Sequence, residues 1–407
     1  MLVGAPAKIS ANRANAIAGK GRRVNAYCFF NQRLQIIDCP TLTATVSQVT
    51  LTDENARQLP QASLQSLAFE GNQAVPFWLV VPTYNPGLQD WAQWLQALQS
   101  QECQPARLVV VDSGSTDGSL ALTQAAFQKA IATKSNSEQH QAPALTLLHV
   151  KANQFDHGGT RQWALNQALE DPSQDHPQVV VFMTQDAILA HPEALGSLVQ
   201  SFRIPKVAAA YGRQLPKNHA GWLETHARNF NYPAQSRTVQ LQDKESLGFK
   251  SCFFSNAFGA YSLAALIDQG GLPAKLPLGE DTYIAAKLLL SGQSLHYQAN
   301  AAVYHSHQYN RQQDFQRMFD TGVFHALNPW LLQSFGRAEG EGCRLVMSQW
   351  KFLKSHQPSK LGLGAVQILA VNGLKFLGYK LGLWHRLLPR VLKVRMSMYK
   401  TYWLTKP

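Results

Sequence analysis

Arg107–Ser119 reads RLVVVDSGSTDGS: four apolar residues, Leu108–Val111, then an acid, then a run of Ser, Gly and Thr. An unbroken apolar run closed by turn residues is the mark of a strand buried on both faces, which belongs to a parallel sheet covered by helices. Asp112 stands at its carboxyl end. Asp117 or a neighbour is placed to cap a helix running through Leu120 and Phe127.

The same unit recurs on either side. FWLVVPTYN (Phe77–Asn85) is a second buried strand entering a loop. Asp90 is expected to cap the helix after it, with Trp91, Trp94, Leu95 and Leu98 on one face at i, i+3, i+4 and i+7. ALTLLHV leads to NQFDHGGT and a helix over Arg161–Leu169, and VVVFMTQDA (Val179–Ala187) ends in an acidic loop. Strands alternating with helices predict an α/β domain with ligands at the carboxyl ends of the strands. From Val207 to Gln308 the pattern is less regular, with a helix over DTYIAAKLLLSG and a strand-like VYHSHQY.

Around this core the expected organisation is an accessory or poorly ordered segment 1–74, a catalytic domain 75–325 and a helical, basic region 326–407. Lys and Arg outnumber Asp and Glu by 37 to 25, and the excess is local: residues 351–407 hold eleven Lys and Arg and no acid. Nucleic-acid binding would require that charge beside the sheet loops, so it is not expected. The five cysteines are scattered and never spaced CxxC, which argues against a disulfide framework or a zinc site and makes a reducing, cytoplasmic compartment the default. No apolar run near Met1 is long enough for a signal-peptide core. The apolar stretch Leu361–Leu374 is shorter than the roughly 20 residues a spanning helix needs.

Each strand end carries candidate chemistry. Asp112 can accept hydrogen bonds from a base or ribose, or simply shape its turn. Neither strand is followed by GxGxxG, which disfavours a nicotinamide or flavin cofactor. Asp186, with Thr184 where a DxD pattern would have its first acid, is a hard oxygen ligand for Mg2+ or Mn2+ at a diphosphate. His305 and His307 share a face if VYHSHQY is a strand, and one can join the metal shell. Glu280 and Asp281 open a helix about 100° apart, so one can be a general base and the other a structural or substrate contact. Their residue types leave that choice open. The two glycines of FDHGGTR permit close approach of a phosphate to a helix N-terminus, with Arg161 holding the diphosphate.

The ordered set LVVPTYN, VVVDSGSTDGS, FDHGGTR, FMTQDA, AAAYGRQLP, SNAFGAYS, GEDTYIAAKLLLSG and YHSHQY resembles the rhamnosyltransferase branch of glycosyltransferase family 2, from about Val75 to past Gly342. The resemblance implies a GT-A fold: a Rossmann-like mixed, mainly parallel sheet with helices on both faces. It also implies inverting transfer of L-rhamnose from dTDP-L-rhamnose during O-antigen or other surface-polysaccharide assembly. Another UDP- or dTDP-sugar donor is the alternative within the family, and a non-catalytic polysaccharide-assembly protein the alternative outside it. By motif, Thr83, Tyr84, Asn85, Asp112 and Asp117 would contact the nucleotide, Asp186 the metal and diphosphate, and Asp281 would be the base. Gly212–Gln214 with Arg213, together with Arg228 and Asn256, would shape the sugar or acceptor pocket. The basic tail, interleaving Lys and Arg with Leu, Phe, Trp and Tyr, fits peripheral contact with the anionic inner face of the cytoplasmic membrane, where a lipid-linked acceptor would reside.

Overall fold

The computed structural model describes residues 25–30, 33–38, 46–47, 75–134, 143–171, 176–218, 220–306, 309–336, 339–356 and 358–404. The chain divides into two units, Met1–Thr43 and Ala44–Pro407. In the first, Asn25–Phe30 and Arg33–Asp38 form an antiparallel hairpin. Apart from these strands and Val46–Ser47, the segment read as accessory lies outside the described residues.

The four apolar runs form β1 (Phe77–Thr83), β2 (Arg107–Asp112), β3 (Ala144–His149) and β4 (Val179–Met183). All four are parallel, in the order β3-β2-β1-β4, with Val46–Ser47 added at the β3 edge. Beyond β4 the sheet becomes mixed. It continues through β5 (Val207–Leu215), β6 (Phe258–Ser262) and β7 (Ser294–Tyr304), with β6 antiparallel between β4 and β5, and β7 parallel to β5. Side chains of β1 alternate between two cores: Trp78 and Val80 pack with Trp163 and Ile284, whereas Phe77, Leu79 and Val81 pack with Trp91 and Trp94. Burial on both faces is what the continuous apolar runs require.

The principal helices are α1 (Leu88–Gln99), α2 (Ser119–Lys134), α3 (His157–Leu169), α4 (Trp222–Asn231), α5 (Glu280–Leu290), α6 (Arg311–Leu327) and α7 (Leu361–Leu383). Two starts differ from expectation. Gly87, not Asp90, is the N-cap of α1, and Asp90 falls inside the first turn. Helix α3 begins a turn earlier than Arg161 because the Asp156 side chain accepts from Gly159 N and caps it there.

Helix α7 is also longer than the apolar stretch that suggested it. It passes through Lys375, whose charge is met 3.1 Å away by Asp314 on α6, and at 23 residues it is long and apolar enough to cross a membrane. Its crossing with α6 is close enough to require glycine: a Cβ on Gly378 would stand 2.5 Å from Phe315 O, and one on Gly382 2.1 Å from Phe319 O. This contact ties the C-terminal helices to α6, which runs from Arg311 straight through position 325.

Candidate active site

Three loops at the carboxyl ends of β1, β2 and β4 are fastened into one rim. Asn85 N donates to Ser115 Oγ and Asn85 Oδ1 accepts from Thr116 N, both at 2.8 Å, while Gly87 N donates to Asp117 Oδ2 at 2.8 Å. Gln185 adds the third loop: its Oε1 accepts from Tyr84 N at 2.7 Å and its Nε2 donates to Tyr84 O at 3.1 Å. Asn85 and Asp117 therefore hold the rim together, and the Tyr84 side chain, 53% exposed, stands over its opening. Thr83 is buried below, 3.5 Å from Asp112 Oδ1.

Asp112 itself is 1% exposed. Its carboxylate accepts from Gly114 N at 2.8 Å and Ser115 N at 2.9 Å, so it shapes its own turn as well as standing at the strand end. The group that faces outward beside it is His149 at the end of β3, whose Nδ1 lies 3.4 Å from Asp112 Oδ2. Nothing local in ALTLLHV marks this histidine. Only the register that sets His149 opposite Asp112 does.

Strand β7 ends at Tyr304, so His305 sits just past it, and the shared-face argument for His305 and His307 does not apply; His307 lies outside the described residues. His305 Nε2 lies 3.4 Å from Asp186 Oδ2. Its Nδ1 is 2.8 Å from Gln214 Oε1, an acceptor, so Nδ1 carries a proton and donates there. Gln214 Oε1 also accepts from Arg228. Arg213 does not share this arrangement: neighbouring strand residues face opposite ways, and Arg213 is on the side of Tyr297.

The acidic pair at the start of α5 separates in the structure. Glu280 is 6% exposed, and its Oε1 accepts from Arg161 Nη1 and from Asn256 Nδ2, each at 3.2 Å. Burial opposes its charge, but Arg161, His157 and Asn256 outweigh burial and keep its pKa below the usual value. Asp281 is half-buried, with Oδ2 accepting from Asn256 N at 3.2 Å and Oδ1 from Thr282 N at 2.7 Å. Burial, and then the fixed charge of Glu280, push its pKa up to about 7. A carboxylate titrating there can take a proton near neutrality. Asn256–Ala257 also joins the two halves of the site, because Ala257 O accepts from Thr184 N, two residues before Asp186.

Three of the features expected to meet substrate have protein partners in the structure. Arg161 is 3% exposed and spends its guanidinium on Glu280 and His157 O, so it neutralises the acid rather than reaching a diphosphate. The FDHGGTR helix start is likewise filled, by Asp156, and a Cβ on Gly158 would stand 2.0 Å from Pro273 O. Its glycines serve close packing. Asn256, expected in the sugar or acceptor pocket, is 2% exposed and bonded on both sides, its Oδ1 accepting from Tyr261 Oη at 2.8 Å. It is a brace between Glu280 and Asp281.

Two features absent from the sequence motifs also reach the site. Arg317 on α6 is exposed toward it, with Nη1 3.4 Å from Tyr309 Oη. From the C-terminal segment, the Tyr399 ring meets His157 edge-on at 4.5 Å. Asp320, a turn beyond Arg317, holds that segment through Met398 N at 2.8 Å and Tyr399 N at 3.3 Å.

Residues 78–268 match the family described as glycosyl transferase family 2. The chain is 40% identical over 327 residues to the O-antigen chain rhamnosyltransferase WbaN of Salmonella anatum, covering 80% of this chain and 95% of the relative. It is 39% identical over 325 residues to RfbN, also named an O-antigen chain rhamnosyltransferase, of Salmonella typhimurium (strain LT2), with the same coverage. Among solved structures, the mannosyltransferase PcManGT from Pyrobaculum calidifontis, in complex with GDP-Man and Mn2+, is similar at 19% identity and TM-score 0.44, over 81% of this chain and 86% of that one. The mixed, mainly parallel sheet followed by C-terminal helices is the GT-A arrangement expected. With relatives of this identity aligned over nearly their whole length, the chain belongs to glycosyl transferase family 2, and it is a glycosyltransferase.

Proposed function

We propose that the protein is an inverting rhamnosyltransferase that moves L-rhamnose from dTDP-L-rhamnose to a hydroxyl of a growing, lipid-linked surface polysaccharide. The alignment with two O-antigen chain rhamnosyltransferases over 95% of their length carries the sugar and the polysaccharide. The separation of Glu280 from Asp281 supports the chemistry. Asp281 takes the proton of the acceptor hydroxyl, the oxygen attacks the anomeric carbon from the face opposite the nucleotide, and the bond to dTDP breaks. Glu280 stays ionised on Arg161 and keeps the proton affinity of Asp281 high. The rim of Thr83, Tyr84, Asn85, Asp112 and Asp117 receives the nucleotide, and His149 adds an exposed ring beside Asp112.

Asp186 and His305 fit a divalent ion. Their facing atoms are 3.4 Å apart, close to the roughly 3 Å that separates adjacent ligands of an octahedral ion with 2.1 Å bonds. One carboxylate and one imidazole, with diphosphate oxygens and water, suit Mn2+ or Mg2+. Such an ion would supply charge stabilisation to the departing diphosphate. Among several UDP- and dTDP-sugars, dTDP-L-rhamnose is expected to release its nucleotide fastest, and faster with Mg2+ or Mn2+ than with chelator. Faster release from a UDP-sugar would overturn the donor assignment.

The outward face of α7 fits contact with an anionic bilayer. Leu363, Val366, Leu369, Phe376 and Leu377 are each more than half exposed along it, and Leu387 and Val391 extend the apolar surface. Arg386, Arg390, Arg395 and Lys400 lie exposed in the following segment. Apolar side chains flanked by cations suit a membrane surface carrying negative lipids. Val366→Asp with Leu369→Asp is expected to abolish co-sedimentation with vesicles containing phosphatidylglycerol without lowering the melting temperature. Unchanged sedimentation removes this face as the contact.

A further inference from the structure

Arg317 brings to the cleft a positive charge that no acid among the described residues meets within ion-pair distance. Its guanidinium carbon stands 5.5 Å from the Tyr309 ring centroid, and its charge acts on Arg228, His305 and His157, so it shares their space. Arg228 approaches from α4, donating to the same Gln214 Oε1 that His305 uses. Among the described residues neither guanidinium has a carboxylate within ion-pair distance. Glu224 acts on Arg228 only at longer range, and the remaining partners of Arg317 are the tyrosines Tyr309, Tyr399 and Tyr232.

Two neighbouring cations without a counter-anion repel one another. Such an arrangement is relieved when an anion with several oxygens lies between them. Guanidinium groups offer the paired N–H geometry that phosphate oxygens accept. The location is equally specific, because Gln214 and His305 connect Arg228 to Asp186, where the diphosphate would meet its metal ion.

We propose that Arg317 and Arg228 form the clamp for the donor diphosphate, the task expected of Arg161. The assignment rests on the glycosyltransfer reading above but not on the identity of the base or sugar. As the bond to the sugar breaks, negative charge grows on the departing diphosphate, and two fixed guanidinium groups stabilise it where it develops. Tyr309 and Tyr399 flank Arg317, and Asp320 anchors Tyr399, so the C-terminal segment helps aim the clamp. Helix α6, outside the residues matched to the family, thereby contributes to substrate binding.

Titration calorimetry with inorganic pyrophosphate and with dTDP, on the full chain with and without Mg2+, tests the clamp. Arg317→Gln should weaken both ligands by about tenfold or more, the loss of a charge-assisted hydrogen bond, with Arg317→Lys recovering part of it and thermal melting unchanged. Arg228→Gln should act in the same direction. Pyrophosphate affinity unchanged in Arg317→Gln overturns the clamp, as does wild-type protein that binds pyrophosphate no better than chloride. If UDP binds better than dTDP and Arg317→Gln weakens it equally, the clamp stands and the thymidine donor falls.

Discussion

Replacing Asp281 by Asn is expected to lower transfer by about three orders of magnitude, the scale of losing a general base, while dTDP affinity changes little. Asn keeps the size of the side chain, and its one oxygen can still accept from Asn256 N or from Thr282 N, though not from both as the carboxylate does, so the start of α5 should persist. What it cannot do is take the acceptor proton. In the wild type, Asp281 must be ionised to act, and its pKa is raised to about 7 by burial and by Glu280, so the rate should climb as pH rises through that value and then level. The variant should lack this step. Normal turnover in the variant would remove Asp281 as the base.

The same shift has a consequence for stability, with a definite sign. A carboxyl group whose pKa is higher folded than unfolded holds its proton in the folded chain after the unfolded chain has lost it. Stability from this group is therefore full below its usual value of 3.8 and falls as pH rises toward about 7. Above that pH, Asp281→Asn should resist urea better than the wild type, even as it loses activity. An inactive but more stable variant separates a catalytic role from a structural one.

Arg161→Ala is expected to act in the opposite way, through folding. It would leave Glu280 buried without its counter-charge, and breaking a buried pair by removing one partner costs about 3–5 kcal/mol. Urea unfolding should show a large fall in the midpoint with little change in slope. If Arg161 contacted the diphosphate instead, the loss would fall on donor binding and stability would be nearly unchanged. Glu280→Gln should also destabilise the fold, because it leaves the buried guanidinium without its counter-charge, but by less than Arg161→Ala, since a neutral amide can still accept from the guanidinium.

The strands were legible because their signal is local. Continuous runs such as Leu108–Val111 can be satisfied only by burial on both faces, and all four expected parallel strands are present in the sheet. Helix starts were less legible: Asp90 and Asp156 are both acids near a helix start, yet only Asp156 caps, because only its backbone turns at the right residue. The expectation of a diphosphate contact at Arg161 has a related cause. Gly-Gly-Thr-Arg at a helix start has the composition of a phosphate site, but the helix end is filled by Asp156 and the loop at Pro273.

The family resemblance, the sheet and the placing of Asp112, Asp186, Glu280 and Asp281 at element ends follow from residue order, since each depends on neighbours within a few positions. How the acids differ in burial and charge was decided by the tertiary structure. The charge of Arg161 keeps Glu280 ionised against the cost of its burial, while Asp281, on the next position of the same helix, is left half-buried with a raised pKa. The recruitment of His149, Gln214, Arg317 and Tyr399 is likewise tertiary. These residues come from distant parts of the chain, and an electrostatic effect that depends on separation and exposure to water has no signature in sequence spacing.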